Sequence, residues 1–218
     1  MYKAVIFDMD GVITDTEKLY RRFQYETGEE YGIPRERMTP VLEHIAGGNR
    51  YTNKEVFRSF IGDSPEYFEF RERMLQKLDA FIAENGVELK AGVIKTLTAL
   101  KEKGLKIGLA TSTDRERALP KLKQHDLEKY FDALIFGADL PAGHGKPNPD
   151  IYLSACEKLG VDPAEAIGVE DSKNGVQAVK RAGMYCVMVI DLIPPDADTE
   201  PYTDKVYHQM DEMLELWS

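Results

Sequence analysis

Asp8 and Asp10 follow directly on the apolar run Val5–Phe7, in the stretch "VIFDMDGVITDTE". Carboxylates clustered at the end of a core strand repel one another and are costly to bury without compensation. Three other stretches carry complementary groups: Thr111 and Ser112 in "LATST", Lys146 in "GKPNPD", and Glu170 and Asp171 in "VEDSKNG". Carboxylates with no matching excess of cations suggest a hard metal ion bound through oxygen, and Mg²⁺ usually takes a few carboxylates plus waters and substrate phosphate. A hydroxyl and a lysine beside them are donors suited to phosphate oxygens. A carboxylate held in line could attack phosphorus once that charge is neutralised. The combination describes metal-assisted phosphoryl transfer.

These residues are far apart in sequence, so the fold must collect them. From Lys106 onward, β-branched and apolar runs ("KIGLAT", "DALIFGAD", "EAIGVED", "YCVMVID") alternate with helical patterns. That alternation predicts an α/β fold, a doubly wound parallel sheet with helical crossovers. Helix signals follow each run: Asp114, Asn148 or Pro149, and Ser172 as starts, Gly160 and Gly183 as stops. Pro120 is expected near the first turn of its helix, where proline is best tolerated. In an open parallel sheet all strand carboxyl ends emerge on one edge, where ligands bind at the topological switch point. The rule brings Asp8, Asp10, Thr111, Ser112, Lys146, Glu170 and Asp171 together.

Between Thr16 and Glu88 strand signals disappear, and helical periodicity with charged faces takes over. The expected organisation is a core domain of residues 1–15 and 89–218 with an all-helical insertion at 16–88. "EMLELW" is expected to close the fold as a short helix. Asp15 and Glu17 are expected at the hinge and the first helix start, since acids favour the positive end of the helix dipole.

The formal net charge of −10 argues against a nucleic-acid or anionic-membrane surface. A small phosphorylated metabolite is the expected partner, with the chain a monomer or weak homodimer. Cys156 and Cys186 are far apart and form neither a disulfide framework nor a zinc motif, which fits a reduced cytoplasm. No apolar stretch approaches the roughly 20 residues of a membrane span.

"DMDGVITDT", "LATST", "GKPNPDIY" and "VEDSKNG" closely resemble, in order, the four motifs of the haloacid dehalogenase superfamily, in its phosphatase and β-phosphoglucomutase-like branch with a helical cap. The resemblance implies a Rossmann-like core. It makes Asp8 the nucleophile that forms an aspartyl-phosphate, and Asp10 the group that protonates the leaving oxygen and then activates water. Mg²⁺ would be held by Asp8, the Asp10 carbonyl and Asp171, with Glu170 as a further ligand or one shell out. Thr111, the Ser112 amide and Lys146 would hold the phosphoryl group, and Lys146 would also orient Asp8. In the insertion, "AGGNR" resembles the family's substrate-specificity loop, so Gly47, Asn49 and Arg50 are substrate candidates, with Arg73 a weaker one. Tyr20 stands where β-phosphoglucomutases carry a cap histidine.

"GHGKP" superficially suggests a P-loop, but Leu140 occupies the position of its first glycine and Pro147 that of its Ser or Thr. His144 reads as a surface loop residue. A tyrosine at position 20 is neutral at pH 7 and cannot take a histidine's proton role, which favours a Mg²⁺-dependent phosphatase over the alternative phosphohexomutase. A non-catalytic phosphometabolite-binding protein would be expected to lose Asp8 or Asp10, and both are present.

Overall fold

The computed structural model describes residues 2–45, 50–192 and 194–217. Its centre is a parallel sheet of six strands, β1 (Ala4–Phe7), β2 (Lys106–Thr111), β3 (Ala133–Phe136), β4 (Ala166–Glu170), β5 (Tyr185–Val189) and β6 (Lys205–Tyr207), in the order β3-β2-β1-β4-β5-β6. β1 lies between β2 and β4, with Phe7 level with Leu109 on one side and Val169 on the other. The chain reverses direction of growth at β1, so the switch-point crevice opens where Asp8 leaves the sheet.

Alternation along β1 separates two cores. Val5 and Phe7 pack with Val93, Leu97, Ala118 and Leu122 of helices α5 (Val93–Glu102) and α6 (Arg115–Gln124). Ala4 and Ile6 face Ile151, Tyr152, Ala155, Val176 and Val179 of α7 (Asp150–Leu159) and α8 (Lys173–Arg181). Both faces of β1 are therefore covered, which is why its four residues are all buried and apolar. α8 starts on Ser172, whose Oγ accepts the Gly175 amide, and α7 stops at Gly160 with φ +63°.

Helices α1 (Glu17–Glu30), α2 (Arg35–Ile45), α3 (Arg50–Ile61) and α4 (Tyr67–Asn85) lie between β1 and β2 in the chain. They have apolar clusters of their own, one around Met38, Val41, Phe57 and Phe70, another around Phe23, Met74, Leu75 and Leu78. The two connections to the sheet are paired: Asp15 N–H donates to the Glu88 carbonyl and Lys90 N–H to that of Ile13. No helix among the described residues is long and apolar enough to cross a membrane.

Two local expectations need correction. Pro120 is the sixth residue of α6, not part of its first turn; apolar burial of Ala118 and Leu122 carries the helix past the hydrogen bond a proline cannot donate. Asp114 precedes α6 without capping it through its side chain, and approaches Arg117 at 3.9 Å instead. Met210–Trp217 closes the fold as a short helix of 3₁₀ type.

Candidate active site

Asp8, the first residue beyond β1, is 7% exposed. Its Oδ1 accepts from the Lys146 ammonium at 2.5 Å, and the same ammonium donates to Glu170 Oε1 at 2.5 Å. Glu170 is wholly buried at the end of β4, where Oε1 also accepts the Tyr152 hydroxyl at 2.7 Å and Oε2 the Ser172 hydroxyl at 3.3 Å. Asp171 follows. Asp8, Glu170 and Asp171 each offer a carboxylate oxygen within 4.8 Å of the others. Packing is tight around them: a Cβ on Gly175 would lie 1.9 Å from the Glu170 carboxyl carbon, and one on Gly11, which has φ +86°, would lie 2.2 Å from Asp171 Oδ2.

A single ammonium serves several acids here. Burial pushes the Asp8 carboxyl up to about 7, against the opposing charge of Lys146 and with added repulsion from Glu170 and Asp10. Burial and then Glu170, Glu17, Asp8 and Asp191 push Asp171 well above the carboxylate range. Lys146 stays charged: burial would lower its pKa, but Asp8 and Glu170 raise it above the ordinary value. An excess of converging oxygen donors over positive charge is what a hard divalent cation fits, so Asp8, Glu170 and Asp171 suit Mg²⁺.

Asp10 is held quite differently. Its Oδ1 accepts from Thr16 at 2.6 Å and from the Lys121 ammonium at 2.7 Å, and its Oδ2 accepts from Thr113 at 2.6 Å. Burial alone would raise its pKa, but the Lys121 charge and these hydrogen bonds hold it below the usual carboxylate range. Lys121 is 3% exposed, and its ammonium lies 5.7 Å from the Tyr20 ring centroid. Burial raises the Tyr20 phenol further, so it stays neutral.

The carboxylates open into a cavity of about 320 Å³. Three of the four inserted helices turn one regular stripe toward it. α1 supplies Glu17, Tyr20, Arg21 and Gln24, while α2 supplies Met38, Val41, Leu42 and Ile45; α4 supplies Tyr67, Phe70, Arg71, Met74 and Leu75. All three sets follow i, i+3, i+4, i+7 spacing, the period that puts side chains on one helix face. The α1 stripe is polar and those of α2 and α4 largely apolar, so a ligand would meet hydrogen-bonding groups on one wall and packing surface on the other.

Asp8, Asp10, Ser112, Tyr20, Arg50 and Asp171 all line this cavity. Ser112 Oγ is buried without a hydrogen-bond partner, a donor left over for a ligand. Thr111 does not line the cavity; it is 1% exposed, and its Oγ accepts the Thr113 amide at 3.0 Å, fixing the turn that presents Ser112 and Thr113. Lys146 sits beneath the carboxylates rather than on the wall. Arg73 points away, at 3.1 Å from Glu30; Arg71, about 200° around the helix by 100° per residue, takes the inward position. Gly47 and Asn49 lie outside the described residues. Asp15 pairs with Lys18 in the first connection to the helices, and Glu17, besides starting α1, faces the cavity. Burial raises its carboxyl to about 8, with Asp10, Asp191 and Asp8 adding repulsion.

Lys121, Thr113, Glu17 and Asp191 are absent from the sequence-based site. Lys121 had a signal, a lysine three residues after Ala118 and next to Leu122 on the apolar face of α6. Asp191 had one too: it ends the run "YCVMVID", and the strand-end rule that collected Glu170 and Asp171 applies equally to β5.

Residues 2–183 match the family model for haloacid dehalogenase-like hydrolases. The chain is 37% identical over 182 residues to the phosphorylated carbohydrates phosphatase of Thermotoga maritima, covering 84% of this chain and 82% of that protein. It is 35% identical to the β-phosphoglucomutase of Bacillus subtilis, over 86% of this chain and 83% of that one. The crystal structure of CbbY from Rhodobacter sphaeroides in complex with phosphate superposes with a TM-score of 0.77 at 26% identity, covering 98% of this chain and 96% of that one. A switch-point aspartate pair, the ordered motifs and the matching architecture have one explanation: the chain belongs to the haloacid dehalogenase-like hydrolase family.

Proposed function

We propose that this protein is a Mg²⁺-dependent phosphatase that hydrolyses a small phosphorylated carbohydrate through an aspartyl-phosphate on Asp8, under a cap formed by residues 16–88. The observation that carries the reading is the separation of two aspartates two residues apart. Asp8 lies among the oxygens of Glu170 and Asp171 and against Lys146, whereas Asp10 has a cation and two hydroxyls of its own. Two carboxylates in unlike environments can take unlike roles.

Mg²⁺ held by Asp8, the Asp10 carbonyl, Asp171 and, directly or one shell out, Glu170 would lower the Asp8 pKa and offset charge on the phosphoryl oxygens. Asp8, ionised and steered by Lys146, attacks phosphorus as the P–O bond to the sugar oxygen breaks. Asp10, entering this step protonated, delivers that proton to the oxygen. It then takes one from the water that attacks the aspartyl-phosphate, which restores its protonated form for the next turnover, and the Lys121 charge beside it favours the ionised form that this second task needs. Ser112 and Thr113, presented by the Thr111 turn, face the cavity where the phosphoryl group would lie.

The polar stripe of α1, with Asn53 also lining the cavity, supports a polyhydroxylated leaving group, and relatives include a hexitol phosphatase of Escherichia coli, 31% identical. Tyr20, neutral and stacked near Lys121, supports hydrolysis over the mutase alternative. Purified protein with Mg²⁺ is expected to release inorganic phosphate from a panel of sugar and polyol monophosphates. Asp8→Asn is expected to abolish release. Wild-type turnover in that variant would refute the mechanism, and interconversion of hexose phosphates with a bisphosphate activator, without phosphate release, would favour the mutase.

A further inference from the structure

Asp191 stands beyond the carboxyl end of β5, next in the sheet to β4, which delivers Glu170 and Asp171. Its side chain is 5% exposed. Oδ1 accepts from the ammonium of Lys90, a residue of the second linker. Oδ2 is buried and has no hydrogen-bond partner.

Gly11 shows where that oxygen points. A Cβ on Gly11 would lie 2.2 Å from Asp171 Oδ2 and 3.2 Å from Asp191 Oδ2, so the two oxygens converge over one glycine. Two carboxylates approaching in this way repel each other, and a buried acceptor with no donor is itself costly. Asp191 nevertheless stays outside the set of acids whose oxygens all lie within 4.8 Å of one another. It is close enough to influence a cation held by that set and does not complete a direct ligand group with it. Mg²⁺ keeps several of its waters when protein-bound, and such waters are strong donors that outer carboxylates orient.

We propose that Asp191 is a positioning residue for the divalent cation: its Oδ2 accepts a hydrogen bond from a metal-bound water on the Asp171 side, while Lys90 offsets the carboxylate's charge from behind. The inference rests on the proposed Mg²⁺ site, and the test separates the two. Binding is measured without substrate, Mn²⁺ by the loss of its free-ion electron paramagnetic resonance signal and Mg²⁺ by calorimetry, on wild type, Asp191→Asn and Lys90→Met. Asp191→Asn is expected to weaken both metals by about 10–100-fold, and Lys90→Met, which keeps the acceptor, to stay close to wild type. Unchanged affinity in Asp191→Asn overturns the inference. So does an equal loss in Lys90→Met, which would make the pair a brace for the linker. Wild type that binds neither metal refutes the metal site itself, and the inference with it. If Asp191→Asn does not fold, a crystal structure of wild type with Mn²⁺ decides: a water bridging the ion and Asp191 Oδ2 supports the role, and direct ligation or no bridge overturns it.

Discussion

Replacing Lys146 by methionine removes the ammonium shared by Asp8 and Glu170 while keeping most of the stem volume. Both carboxylates are buried, at 7% and 0% exposure. Removing one partner of a buried ion pair costs about 3–5 kcal/mol. At about 2–4 °C per kcal/mol for a chain of this size, the melting temperature should fall by about 6–20 °C. The loss should depend on pH in a defined direction. In the folded protein without metal, burial raises the Asp8 carboxyl to about 7 despite the lowering effect of Lys146, against about 3.9 in the unfolded chain. Between these values the native state binds the extra proton, so this group's contribution is fully present below about pH 4 and is lost as pH rises to about 7. Without Lys146 the carboxyl rises further and the loss extends to higher pH. The gap between wild type and variant should therefore be smaller at pH 5 than at pH 8, the part at pH 5 coming from Glu170 left without its cation. Urea unfolding in a chelator, followed by fluorescence of the single tryptophan, Trp217, which packs on the core, measures it. A loss equal at both pH values, or below about 1 kcal/mol at pH 8 as for a surface pair, would refute this account of the site.

Two further outcomes follow from the packing. Gly175→Ala would ordinarily strengthen a helix by about 0.5–1 kcal/mol, but here the new methyl would meet the Glu170 carboxyl at 1.9–2.2 Å; a net destabilisation of about 1–3 kcal/mol is expected by urea unfolding, together with reduced phosphate release. Lys121→Met removes the cation on Asp10 and is expected to lower kcat on sugar phosphates by about 10²-fold or more with little change in KM, read by steady-state phosphate release; an unchanged kcat would mean that Thr16 and Thr113 suffice to place Asp10.

Much of the sheet domain was legible because its signals are local and repeated. Each strand is a short apolar run, each crossover helix has a start or stop residue nearby, and a parallel sheet has one carboxyl edge, so strand-end residues could be collected before their distances were known. The helix starts where Asp114 signals it, at Arg115, but Pro120 was misjudged because the sixth residue from that start is already in the second turn, and tertiary burial of Ala118 and Leu122 carries the helix past it. Thr111 and Lys146 were read by type, as donors for phosphate, with Lys146 also a group to orient Asp8. A side chain's direction depends on neighbours, and these two turn inward to hold the Thr113 amide and the buried acids.

The sequence by itself determined the α/β alternation, the place of the helical insertion and the identity of the acids at the ends of β1 and β4, because these depend on periodicity and chain order. The tertiary structure decided which cation serves which aspartate. Lys121 lies 111 residues from Asp10 and Lys146 lies 138 from Asp8, and no local pattern encodes such pairings. It also turned Arg71 inward in place of Arg73 and brought Glu17 and Asp191 to the carboxylate cluster, since which way a side chain faces depends on packing between elements distant in the chain.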